Sequence, residues 1–146
     1  RSMGWNDWED VDFQWIDAGV DWAGKSNAMG GFPSLVIGGV AAAEARPETS
    51  VYSAGDWAKN PRTAVGVGED GQLMMVTVDG RTAAGDGMRT PELATMMQSW
   101  GAVQAIGLDG GGSTTMVVRG CWLDDDVVNT PSGGTERSVT SGLYVL

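Results

Sequence analysis

Histidine is absent from the 146 residues, and cysteine occurs once, at Cys121. The first absence removes Ser-His-Asp and Cys-His nucleophile systems and HExxH zinc sites. The second removes cysteine-rich zinc modules and any internal disulfide. Proton transfer then falls to Asp, Glu, Tyr, Lys, Arg or water, and the lone thiol reads as a packing residue rather than a reactive one. No run approaches the roughly 18 consecutive apolar residues of a membrane-spanning helix, and the acidic N-terminus lacks the basic and apolar regions of a signal peptide. The chain starts at Arg1, which leaves upstream processing or trimming open. Cations are scarce too: nine Lys and Arg against 19 Asp and Glu give a net charge of −10. That field repels phosphate polymers and argues against a nucleic-acid partner.

What is present suits one globular domain. With 42% hydrophobic residues, a chain of this length buries roughly 70% of its unfolded surface. The 23 glycines are more than twice the usual share of about 7%, which suggests short strands joined by tight turns. Residues 35–37, 63–68 and 73–78 read as strands, and Glu69-Asp70-Gly71-Gln72 reads as a hairpin turn in which Asp-Gly supplies positive φ angles. Residues 41–45 are too short and too weakly capped for a helix. The best helix covers 91–100, with Thr90 as N-cap, Pro91 first, Glu92 in the first turn and Gly101 as the stop. Its Leu93, Met96, Met97 and Trp100 fall on one face and read as core. Residues 102–108, 115–118 and 138–146 complete the predicted strands. The order implies an α+β domain with a mixed β-sheet, few helices and glycine-rich loops. At the N-terminus, Trp5, Trp8, Trp15 and Trp22 stand among repelling carboxylates and read as packing residues rather than a sugar-stacking surface.

The most unusual segment is Leu108-Asp109-Gly110-Gly111-Gly112-Ser113-Thr114-Thr115-Met116, where a strand delivers a carboxylate into three glycines and three hydroxyls. Three glycines let the backbone pass close to a ligand and aim N–H groups at it. The segment nearly fits a phosphate-binding P-loop, but its lysine is missing and β-forming residues follow where a helix N-terminus is needed. Asp124-Asp125-Asp126 fits no EF-hand spacing and reads as a solvated acidic turn.

The segment 108–116, taken with Asn60-Pro61-Arg62-Thr63-Ala64-Val65-Gly66, Glu92-Leu93-Ala94, Asn129-Thr130-Pro131-Ser132 and Glu136-Arg137-Ser138-Val139, resembles the phosphodiester glycosidases related to the lysosomal uncovering enzyme. Residues 27–36 also look like that family's element preceding its arginine motif, and the match spans roughly 20–145. The resemblance implies hydrolysis of a sugar-1-phosphodiester between the anomeric carbon and the phosphate oxygen. It makes Asp109, Glu136 and Arg62 the catalytic candidates. The carboxylates would activate water, protonate the leaving group or stabilise an oxocarbenium ion, in an order left open. Arg62 and Arg137 would hold the phosphodiester anion. Gly110, Gly111, Gly112, Ser113, Thr114, Asn129 and Ser132 would bind sugar hydroxyls or phosphate oxygens. No cofactor is called for, and a divalent metal is left open.

Each assignment has a plainer counterpart. Arg62 would anchor a strand end through Asp56 or Asp79, Asp109 would cap its own turn, and Glu136 with Arg137 would form a solvated pair. The family's upstream Asn-Gly-Gly-Phe-Phe-type element is not found in this sequence, and Ser138 stands where members often carry proline. Residues 1–146 are therefore expected to form a single phosphodiester-glycosidase-like domain lacking its N-terminal portion, with 1–26 as a lead-in. A partner chain, a missing segment or a homo-oligomer would complete it. Action outside the cytoplasm follows from the same resemblance. The alternative is a non-catalytic carbohydrate-binding or assembly module of an envelope or virion.

Overall fold

The computed structural model describes residues 2–5, 12–14, 24–42, 58–119 and 125–145. In chain order the strands are β1 (Ser2–Trp5), β2 (Asp12–Gln14), β3 (Asn27–Gly30), β4 (Ser34–Ile37), β5 (Val40–Ala41), β6 (Arg62–Gly68), β7 (Leu73–Val78), β8 (Ala102–Gly107), β9 (Val117–Arg119) and β10 (Asp125–Val127). The helix α1 (Thr90–Ser99) lies between β7 and β8, and Gly111–Ser113 forms a single 3-10 turn. The strands make a five-stranded sheet in the order β5-β4-β8-β6-β7, a three-stranded sheet in the order β2-β1-β3, and a β9-β10 ribbon. This is the sheet-dominated α+β class, but every ladder between described strands is antiparallel. The parallel part of the expected mixed sheet is not among them.

The central strands read as nearly continuous apolar runs because both faces of the five-stranded sheet are covered. One face meets α1: Ala64 of β6, Val76 of β7 and Ala102 and Ala105 of β8 pack with Leu93, Ala94 and Met97. The other meets Met3 of β1 and Met29 of β3, which pack with Val65, Val67 and Ile106. The small side chains of β6 and β8 sit under the helix, and alternation along β6 sends Ala64 to one face and Val65 to the other.

The β6-β7 hairpin forms where the sequence places it. Gly71 N–H donates to Gly68 O (3.1 Å), Gly68 N–H donates to Gln72 O (3.0 Å), and Asp70 Oδ1 accepts from Gln72 N–H (3.1 Å). Gly71 has φ +78°, whereas Asp70 does not have a positive φ. The connection is thus a type I turn followed by one left-handed glycine, not a turn with two positive φ values. The helix begins one residue earlier than its sequence suggests. Arg89 is the extended N-cap, its N–H donates to Glu92 Oε2 (2.7 Å), and Thr90 is buried inside the first turn. Trp100 is a further correction. It is the C-cap, where the backbone leaves helical geometry (φ −87°, ψ 4°), and it is 55% exposed instead of joining the core stripe.

Two predicted strands differ as well. Residues 138–145 form no ladder; Val139, Tyr144 and Val145 are exposed, and only Leu143 packs against the core. The strand expected over 115–118 begins at Val117, because Met116 N–H is taken by the Asn129 side chain. The expectations for Trp8, Trp15, Trp22, Cys121 and Asp124, and for residues 43–57, lie outside the described residues.

Candidate active site

Antiparallel pairing brings the start of β6 to the ends of β7 and β8, since Arg62 faces Val78 and Ala64 faces Gly107. The segments that leave this end of the sheet are 58–61, 79–89, 108–116 and 129–137. Apart from Arg62, the first residue of β6, the candidate residues lie on them, so one sheet end collects motifs separated by as many as 75 residues of chain between Arg62 and Arg137.

Side-chain hydrogen bonds tie these segments together. Thr63 Oγ1 donates to Thr114 Oγ1 (3.3 Å). Asp79 accepts from Thr130 N–H with both carboxylate oxygens (2.9 Å each). Asn129 uses both ends of its amide: Oδ1 accepts from Met116 N–H (2.7 Å), and Nδ2 donates to Thr114 O (3.1 Å). Asn129 therefore clamps the loop exit. Thr114 is buried against Thr63 and holds the loop from below, which corrects its expected place on the ligand face.

Arg62 is half-buried at the first residue of β6. Its Nε–H donates to Met88 O (2.9 Å), and its Nη2 donates to Ala58 O (2.7 Å). Two of its donors thus secure the backbone that frames the site; of its two expected carboxylate partners, Asp79 is engaged with Thr130 and Asp56 lies outside the described residues. The glycine loop packs directly over this corner. Gly111 N–H donates to Pro61 O (2.9 Å), and a Cβ on Gly110 would come within 2.8 Å of the same oxygen. Only a residue without a side chain allows that approach. The N–H groups of Gly110 and Gly112 meet no acceptor among the described residues, and Ser113 Oγ is enclosed without a hydrogen-bond partner.

Asp109 leaves the end of β8 exposed to solvent, and its carboxylate makes no hydrogen bond or ion pair among the described residues. It does not cap its own turn. Glu136 and Arg137 are also exposed, and they form no ion pair with each other. Arg137 instead lies along the loop: a Cβ on Gly112 would sit 3.4 Å from Arg137 Cδ and 3.5 Å from its Nη1. Ser132 is half-buried in the adjoining turn. Among the described residues no three carboxylates or thiols gather to hold a metal ion.

Sequence reasoning missed one cation here. Arg81 follows β7 with φ +55°, and its Nε and Nη2 donate to Asn60 Oδ1 (3.0 and 2.7 Å). A Cβ on Gly111 would lie 3.3 Å from Arg81 Nη1. The available signal was the Asp79-Gly80-Arg81 turn, which local rules treat as punctuation.

The family model described as phosphodiester glycosidase matches residues 9–146. The chain is 34% identical over 106 residues to the SPbeta prophage-derived uncharacterized protein YomE of Bacillus subtilis (strain 168), covering 70% of this chain and 15% of that protein. It is 40% identical over 73 residues to N-acetylglucosamine-1-phosphodiester alpha-N-acetylglucosaminidase of Mus musculus, covering 50% of this chain and 14% of that enzyme. The fold is similar to the catalytic domain of the zebrafish enzyme of that name, auto-inhibited by its pro-peptide. That match has a TM-score of 0.67 at 23% identity over 90% of this chain and 44% of that one. The chain thus spans a small part of the curated relatives it matches.

Proposed function

The chain belongs to the phosphodiester glycosidase family, and from that premise we propose that its site hydrolyses a sugar-1-phosphodiester, releasing the sugar and a phosphate monoester. The observation that carries this reading is Asp109, an exposed carboxylate without a partner among the described residues, which a buried strand delivers into a loop bare of side chains. The chemistry of the substrate fits such a site. Water adds at the anomeric carbon, the bond from that carbon to the phosphate oxygen breaks, and the oxygen leaves with its electron pair as a phosphate monoester. The second pKa of that group is about 6, so departure needs less protonation than departure of a sugar alcohol. The demand falls on a base for water and on cations for the phosphate. Asp109 or Glu136 supplies the base, while Arg137 and the N–H groups of Gly110 and Gly112 face the anion.

Arg62, Asn129 and Thr114 enter this scheme by holding the loop and the strand end in place. Ser132 supplies a hydroxyl toward the sugar. A further segment or a second copy completes the domain, a reading supported by the exposed Val117, Val118, Val127 and Val128 of the β9-β10 ribbon and its exit. Action outside the cytoplasm belongs to the same proposal. The test is release of free sugar from an N-acetylglucosamine-α-1-phosphodiester by the chain, alone and with any co-purifying upstream segment. Turnover abolished by Asp109→Asn supports the reading. Absence of turnover from folded protein in both preparations overturns it for this substrate class, and retained sugar-phosphate binding would then favour a non-catalytic binding module.

A further inference from the structure

The chain has only nine Lys and Arg against 19 Asp and Glu, yet two of its guanidinium groups lie on consecutive glycines of one loop. Arg81 lies over Gly111 and Arg137 over Gly112. Neither has a carboxylate partner among the described residues. In an acidic protein cations ordinarily find carboxylates, and two guanidiniums gathered on one loop favour an anion there. Arg81 is also held in place. Asn60 Oδ1 accepts from both Nε and Nη2, which fixes the plane of the fork and leaves the Nη1 edge toward the loop. Its backbone stands at φ +55°, a conformation that costs a non-glycine residue energy and that clusters at functional sites. The enclosed Ser113 Oγ and the N–H groups of Gly110 and Gly112 provide unused polar groups in the same loop.

We propose that Arg81 and Arg137 form a guanidinium clasp over the glycine loop that binds a phosphodiester or phosphate anion, with Asn60 as the residue that positions Arg81. The proposal rests on the glycosidase reading for the identity of the anion's sugar, but not for the anion site itself. It also separates two arginine roles: Arg62 is tied to the carbonyls of Ala58 and Met88 and frames the site, whereas Arg81 meets the ligand. Anion binding here weakens with added salt, because both guanidiniums are exposed.

Titration calorimetry tests the clasp with three probes: the methyl phosphodiester of N-acetyl-α-glucosamine 1-phosphate, inorganic phosphate, and the neutral methyl α-N-acetylglucosaminide. Arg81→Gln is expected to weaken both anions by about tenfold or more, the size of one charge-assisted contact, with the neutral glycoside and the melting temperature unchanged. Arg81→Lys recovers part of the loss, Asn60→Ala weakens the anions less than Arg81→Gln, and Arg119→Gln, on β9 rather than the loop, binds as wild type. Wild-type anion affinity in Arg81→Gln overturns the clasp, as does an equal loss of neutral and anionic probes, or no anion binding by the wild type. Phosphate binding that depends on Arg81 without cleavage of the phosphodiester keeps the clasp and removes the glycosidase reading. Cleavage that survives Arg81→Gln unchanged does the reverse.

Discussion

The β6-β7 turn and the glycine-loop end of the five-stranded sheet are built by different kinds of contact. In the turn, Asp70 bonds to Gln72, two residues away, and the backbone bonds span Gly68 to Gln72, although the nearby β4-β5 turn is tied to the helix by Gln98 Nε2 donating to Gly39 O across 59 residues. At the other end the side-chain bonds join Arg81 to Asn60 across 21 residues, Arg62 to Met88 across 26, and both Thr63 to Thr114 and Asp79 to Thr130 across 51. A turn that satisfies itself locally needs nothing from the rest of the chain. A loop held by distant segments depends on the whole fold, and here those distant bonds leave the Asp109 and Glu136 carboxylates without a partner, and the Arg81 and Arg137 guanidiniums without a carboxylate, among the described residues. Structure and chemistry are thus divided between the turn and the loop, and four substitutions test the division.

The largest effect is expected from Asp109→Asn, which keeps shape and removes the charge. Turnover of a sugar-1-phosphodiester should fall by about 10²- to 10⁴-fold, the contribution of a positioned acid or base, while the thermal midpoint stays put. A matching fall in the midpoint would mean that Asp109 holds the fold. Next is Asn129→Ala, which strands Met116 N–H and Thr114 O. It should cost about 1–3 kcal/mol in urea unfolding and reduce sugar release as well, since the loop exit is released. A change in stability without a change in activity would break the link drawn between clamp and site.

The third substitution probes the opposite end. Gly71→Ala places a side chain at φ +78° and should cost about 1–2 kcal/mol with kcat/KM unchanged. An activity loss there would erase the contrast between the ends. The smallest effect concerns the cap of α1. The Arg89 backbone N–H holds the exposed Glu92 carboxyl below its ordinary value of 4.5 against desolvation, with lesser contributions from the Arg89 side chain and Lys59. Its folded pKa is depressed, so the stability it adds is present above the ordinary carboxylate range and is lost as pH falls through the folded value. Glu92→Gln should therefore melt slightly below wild type at neutral pH and converge with it in acid, in melts recorded from pH 7 to pH 3. A constant gap would show that the charge plays no part.

The local elements were legible in the sequence for the same reason that the β6-β7 turn is self-contained. The hairpin needed only alternation and Asp-Gly, and the helix needed only Pro91, Glu92 and Gly101 around an apolar stripe. The misreadings occur where a neighbour decides. Trp100 fits the stripe by spacing, but the helix has already ended there. Residues 138–145 have a β-prone composition, yet they pair with no strand among the described residues. Thr114 carries a hydroxyl suited to a ligand, yet Thr63 lies beneath it.

By itself the sequence determined the family, the sheet-dominated class, the hairpin, the helix and the strand that leads to Asp109, because these depend on short periodicities and on contiguous motifs. Only the tertiary structure decided that Arg62 faces carbonyls, that Asn129 closes the loop, and that Arg81 comes to the glycines. Those outcomes follow from antiparallel pairing, which sets the start of β6 beside the ends of β7 and β8 and so brings together side chains that are far apart in the chain.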